Sequence, residues 1–166
     1  MTSQPLLLIT DTNIWIDLDH GRLLDDVFKL PYRICAPDFA REEIKSVNVN
    51  LLIQKGLVFQ SLEGDLVAEL FSLSRNNRRL AIADLAAYLL AKEHRATLVT
   101  GDSRLVKISM QDGIDVHGLL WLMDEIVRLT IISPSRAAEA LKEILNQNAR
   151  LPQIECNIRI RLWLEK

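Results

Sequence analysis

The chain has 166 residues, 49% hydrophobic and 25% charged, which suits one domain with a real core and excludes a disordered chain. Its 20 Lys and Arg against 22 Asp and Glu give a formal net charge of −2, so any nucleic-acid role must come from a local site rather than a basic coat. The longest apolar stretches, such as 6–9 and 85–91, are far too short for a membrane span, Met1 to Gln4 have no basic signal region, and Cys35 and Cys156 lack partners at metal spacing, so a reduced cytoplasmic protein is expected.

In chain order, Leu6 to Ile9 is a continuous apolar run, the pattern of a strand buried on both faces, and Asp11-Thr12-Asn13 starts a helix after it. Arg33 to Ala36 reads as a second strand, stopped by Pro37 at the start of a helix through Phe39, Glu43 and Ile44. Leu57 to Phe59 reads as a third strand, followed by a helix over Leu66 to Leu73. Leu80 to Arg95 is the clearest helix, Ala- and Leu-rich and free of Gly and Pro, and the strand Thr97 to Thr100 follows it. Gly101-Asp102-Ser103 opens another helix, Ile114 to Val116 is a short strand, and Leu119 to Leu129 is helical. Strands alternating with helices predict a single α/β domain with a central, mainly parallel sheet. Ligands of such sheets sit beyond the carboxyl ends of the strands, where the strand order reverses.

The chain divides as 1–132 for this domain and 133–166 for a C-terminal helical extension that packs on it or serves dimer or partner contacts. Ser133-Pro134-Ser135 caps a helix to about Asn146, and a last element runs from Leu151-Pro152 to Lys166. Arg159 and Arg161 alternate with Ile158, Ile160 and Leu162, which suits an amphipathic strand as well as a helix opened by Pro152. Trp15, Trp121 and Trp163 read as core or interface anchors rather than base-stacking platforms.

Four acids stand out. Asp11 and Asp102 follow strands directly, where each also serves as a helix cap. Asp84 is the one charged residue from Leu80 to Ala91, and a lone carboxylate on a buried helix is costly unless paired, or unless the helix begins there. Glu43 lies beside Glu42, and helical phase does not separate the two. Two carboxylates about 5 Å apart repel by roughly 3 kcal/mol at an effective dielectric near 20, so four converging acids call for cations. Hard oxygen donors select Mg2+ or Mn2+ over zinc. Arg75, Arg78 and Arg79 cluster before the Asp84 helix, and Arg104 and Lys107 follow Asp102, as candidate phosphate contacts or solvated surface charge.

The ordered set Ile9-Thr10-Asp11-Thr12-Asn13, Glu43-Ile44, Asp84 and Leu98-Val99-Thr100-Gly101-Asp102 resembles PIN domains, most of all the VapC-like toxin ribonucleases of toxin–antitoxin pairs. The resemblance covers roughly residues 6–129. It implies a Rossmann-like sheet and a metal-dependent endoribonuclease preferring single strands, with Asp11, Glu43, Asp84 and Asp102 as catalytic, metal-binding acids for Mg2+ or Mn2+. It places Thr12, Asn13 and Thr100 as polar groups supporting those acids, and it selects Glu43 over Glu42. It also implies an RNA substrate, a small antitoxin protein partner and a homodimer. The same fragments resemble haloacid-dehalogenase-type phosphohydrolases, with Asp11 as nucleophile, although Val106 stands where that family carries a further acid. A non-catalytic PIN-like interaction module is the third alternative.

Overall fold

The computed structural model describes residues 5–166; the absence of a signal region at Met1 to Gln4 concerns residues outside those described. The chain alternates β1 (Leu7–Thr10), α1 (Thr12–His20), α2 (Leu24–Val27), β2 (Arg33–Pro37), α3 (Val49–Lys55), β3 (Val58–Gln60), α4 (Asp65–Asn76) and α5 (Ile82–His94). It continues through β4 (Thr97–Val99), α6 (Ser103–Gln111), β5 (Val116–His117), α7 (Leu119–Arg128), α8 (Pro134–Asn146) and α9 (Gln153–Leu164). The five strands form one parallel sheet in the order β3-β2-β1-β4-β5. Among the described residues no helix is long and apolar enough to cross a membrane.

Strand residues alternate between two cores, which is why the strands read as unbroken apolar runs. Leu8, Ile34, Ala36 and Val99 face a core built with α1, α7, α8 and α9, while Ile9, Cys35 and Leu98 face one built with α4, α5 and α6. Trp15, fully buried, stacks on Phe28 at 5.5 Å and donates its Nε1 hydrogen to Thr10 Oγ1 at 2.9 Å, which fixes α1 against the end of β1. Cys35 and Cys156 are buried free thiols.

Residues 133–166 form two helices, and Leu141, Ile144, Cys156 and Trp163 enter the same core as Trp15 and Leu122. Arg159 reaches back to α7, where its Nε and Nη2 bond both oxygens of Asp124 at 2.8–3.1 Å. The alternating segment 158–162 is helical rather than extended, because Pro152 starts a helix whose buried positions are Cys156 and Trp163, seven apart. Ser133 caps α8, its hydroxyl accepting the Arg136 amide hydrogen at 3.2 Å. Ser133→Ala is expected to cost about 1 kcal/mol, lowering the Tm by roughly 3 °C in a thermal melt.

Four elements differ from the sequence expectation or go beyond it. The helix expected after Pro37 is a single 3-10 turn over Asp38–Ala40, followed by turns that carry Glu43. Its apolar positions break off after Ile44, and Asn48 caps a fresh helix, accepting the Leu51 amide hydrogen at 3.2 Å. The helix expected from Leu80 starts at Ile82, with Asp84 in its first turn. The short helices α2 and α3 fall in stretches to which the sequence pattern assigns no element.

Candidate active site

The strand order turns back between β1 and β4; Asp11 follows directly on β1, and Asp102 stands three residues past the end of β4. The Asp11 amide donates to the Val99 carbonyl at 3.1 Å, so the first residue past β1 is held across the switch point by β4. Asp11 is 2% exposed and caps α1, with Oδ1 accepting the Ile14 amide hydrogen at 3.1 Å and Oδ2 accepting the Thr100 hydroxyl hydrogen. Thr100 Oγ1 in turn accepts the Asp102 amide hydrogen at 3.2 Å. Asp102 caps α6, its Oδ1 taking the amides of Arg104 and Leu105 at 2.8 and 3.1 Å. The cap readings of Asp11 and Asp102 therefore hold alongside any further role, because capping uses only part of each carboxylate's acceptor capacity.

Asp84 stands in the first turn of α5, where the backbone amide of the N-cap residue Ala81 favours its ionised form. Burial, then the charges of Asp11, Glu43 and Asp102, push its carboxyl up to about 7. Asp84 thus feels the charge of each of the other three acids named from the sequence. Glu43 is fixed by Thr12, whose hydroxyl donates to Oε2 at 3.2 Å; Glu42 makes no such bond. Burial also holds the Asp11 carboxyl above its ordinary range, against the hydrogen bonds from Thr100 and from the amides of Ile14, Gly101 and Asn13. Thr12 and Thr100 thus contact the acids by side chain, whereas Asn13 does so by its backbone amide.

The sequence reading passed over Asp17. Burial first and the Asp11 charge second raise its carboxyl to about 6, with His20 pulling the other way. The signal was present: Asn13, Asp17 and His20 recur at i, i+4 and i+7 on one face of α1, between Ile14, Trp15 and Leu18 on the buried face.

Among the described residues no group of three or more Asp, Glu, His or Cys side chains is placed to hold a metal ion. Carboxylates that raise a neighbour's affinity for a proton raise its affinity for a cation too. The donors are all carboxylate oxygens, which fits a hard divalent ion such as Mg2+ or Mn2+ and does not fit a zinc site of Cys and His.

Arginines flank the acids. Arg75, Arg78, Arg79 and Arg104 line one pocket of about 370 Å³ with Asn76 and Asn77. Among the described residues none of the four is ion-paired with a carboxylate. Lys107 is exposed on α6 and does not line that pocket. Arg104 belongs to both features, since its amide holds Asp102 while its side chain lines the arginine pocket.

A parallel sheet with acids at its switch point is an α/β architecture whose ligands bind beyond the carboxyl ends of the strands. The family model for PIN domains, DUF3368, matches residues 7–165, and the chain belongs to the PIN domain family. Members of that family are typically nucleases, and they generally use divalent metals. Among solved structures the chain is similar to a PilT N-terminus domain protein, SSO1118, of Sulfolobus solfataricus P2, at 12% identity and TM-score 0.49, covering 74% of this chain and 94% of that one. It is also similar to PAE2754 of Pyrobaculum aerophilum, at 16% identity and TM-score 0.47, covering 77% and 98%. No curated protein sequence matches the chain significantly.

Proposed function

We propose that the chain is an endoribonuclease that hydrolyses RNA phosphodiester bonds with Mg2+ or Mn2+ held by Asp11, Glu43, Asp84 and Asp102. The observation that carries this reading is the raised Asp84 carboxyl, which reports three further acids around a half-buried position. A divalent ion bound there would supply an activated water and neutralise charge on the phosphate. The chain's own groups do the positioning. Thr100 and the Ile14 amide fix the two oxygens of Asp11, Thr12 holds Glu43, and the amides opening α6 fix Oδ1 of Asp102 and leave Oδ2 for a cation. Arg75, Arg78, Arg79 and Arg104 offer uncompensated positive charge for phosphates of the strand, and exposed Lys107 adds to it further along α6.

The dehalogenase-type alternative requires Asp11 as a nucleophile open to substrate. Its low exposure and two occupied oxygens favour a holding role instead. A purely scaffolding domain has no use for a pocket of repelling carboxylates, so Mn2+ binding measured by calorimetry separates that alternative from an enzyme. The primary test is cleavage of a labelled single-stranded RNA in Mg2+ or Mn2+ with EDTA alongside; undiminished cleavage in EDTA overturns the reading. Thr100→Val is expected to weaken Mn2+ binding and cleavage about tenfold, because it frees Asp11 Oδ2 while keeping the side-chain volume. Equal Mn2+ affinity in variant and wild type would contradict that positioning role.

The toxin role, a small antitoxin partner, a homodimer and a cytoplasmic location belong to the same proposal. Co-expression with the product of a small neighbouring gene, followed by light scattering and cleavage assays, tests them together. Growth arrest that the small protein relieves is the expected outcome.

A further inference from the structure

We propose that a second cleft, bounded by α1, the Gly101–Asp102 turn and the connection from α8 to α9, seats a nucleobase of the RNA beside the phosphate held at the acids. This deepens the ribonuclease reading and rests on it. The cleft has a volume of about 440 Å³, within the range of sites that take a nucleotide-sized ligand. Asp102 is part of its lining, so an occupant here lies against one of the four acids. The Gly101–Arg104 turn separates it from the arginine pocket, since Gly101 and Asp102 line the cleft and Arg104 lines the other.

The two pockets differ in chemistry. The arginine pocket offers positive charge for phosphate, whereas the cleft, where Arg150 lies with the acids Asp17 and Asp102, adds neutral amides from Asn13, Gln147 and Asn148. Each amide carries donors and an acceptor on one flat group, the pairing that reads a base edge. Apolar walls come from Ile14, Leu119 and Leu151, which suit the faces of a planar ring. His20 adds an independent sign, for its Nδ1 is buried and has no hydrogen-bond partner among the described residues. A polar group on a bound base would relieve that unpaired nitrogen. Asp17 lies one turn before His20 in the same lining, and its carboxylate form only accepts hydrogen bonds, which favours bases with an exocyclic amino group over uracil, whose exocyclic groups are both carbonyls. The connection between α8 and α9 thereby contributes residues 147–151 to substrate choice without supplying an acid.

Two measurements test this. In the first, wild type and the Gln147→Ala/Asn148→Gly double variant cut a randomised RNA pool, and the cut ends are sequenced. Asn148 has φ +59°, so glycine removes the amide without straining the turn. The expected wild-type profile favours A, C or G over U by about threefold or more at one position flanking the cut, and the variant flattens it. In the second, AMP, CMP, GMP and UMP are titrated into metal-free protein and followed by NMR. The expected result is UMP weakest in wild type, with all nucleotides weakened about fivefold in the variant. Identical cut profiles and identical nucleotide affinities in the two proteins overturn the base seat, as does a wild type that binds no nucleotide. Wild type that binds nucleotides through Gln147 and Asn148 but cuts no RNA instead removes the ribonuclease reading and supports the seat.

Discussion

Asp11→Asn and Asp84→Asn are each expected to lower RNA cleavage by about 100-fold or more in Mg2+, with little change in the fold. Asparagine keeps the shape of aspartate and one acceptor oxygen, which at position 11 can keep the Ile14 amide bond while the NH2 group donates to the Thr100 hydroxyl oxygen, so the main loss is the negative charge. A hard divalent ion binds through that charge, and losing a direct ligand exceeds the roughly 10–100-fold typical of losing a group that merely orients one. Glu43→Gln belongs to the same class. Glu42→Gln is the internal control, because Thr12 holds Glu43 and nothing comparable holds Glu42. Initial rates on one labelled RNA, with Mn2+ titrated for each variant, give the comparison. Asp84→Asn cleaving at the wild-type rate would remove the four-acid site, and equal losses for Glu42 and Glu43 would remove the distinction between them.

The second large effect concerns stability. In metal-free protein the Tm is expected to fall as pH rises from about 4 to about 7, and a divalent ion is expected to restore it at pH 8. Asp84 keeps its proton to about 7 in the folded chain against an ordinary value of 3.8, so across that window the folded state binds more protons than the unfolded state. Stability linked to Asp84 is therefore greatest below pH 4 and is lost as the group ionises. Asp17, raised to about 6, acts in the same direction over the lower part of the range. Allowing for screening at this half-buried position, the loss is on the order of 3 kcal/mol, or roughly 6–12 °C. Glu125 is held down to about 2, first by Arg128, so its stabilising contribution is present above its ordinary 4.5 and is lost toward pH 2, largely below this window. Asp84→Asn is expected to raise the metal-free Tm at pH 8 and to blunt both responses. A flat melting profile from pH 4 to 8 in EDTA would show that the acids do not repel one another appreciably.

The central sheet was legible because its strands are buried on both faces. Leu7-Leu8-Ile9 and Leu98-Val99 send alternate residues to two different cores, so no polar residue interrupts the run. Asp11 and Asp102 were legible because a cap residue after such a strand has its position dictated by the chain. Asp84 stood out by isolation in an apolar helix, although its helix begins two residues later than the apolar run. Glu43 was harder, since it sits in a run of turns without a period to fix its phase, and a bond to distant Thr12 decides its direction. Asp17 was visible as a polar stripe but carried no sign of the burial that perturbs it. The cleft at residues 147–151 was beyond local reading, because it exists only where α8 and α9 bring their connection against α1 and the Asp102 turn.

The core that holds Trp15 beneath Asp11 also contains Trp163, near the end of the last helix. During synthesis, β1 emerges long before the helix that completes the packing of its neighbour α1. The acids themselves are spread over positions 11, 43, 84 and 102, so none of them meets its partners until the sheet has closed. Under the proposed ribonuclease reading, a nascent chain on the ribosome would carry no assembled cutting site until β4 and the start of α6 have joined β1 in the sheet. The order of the elements would then act as a safety interval for the cell that makes the protein.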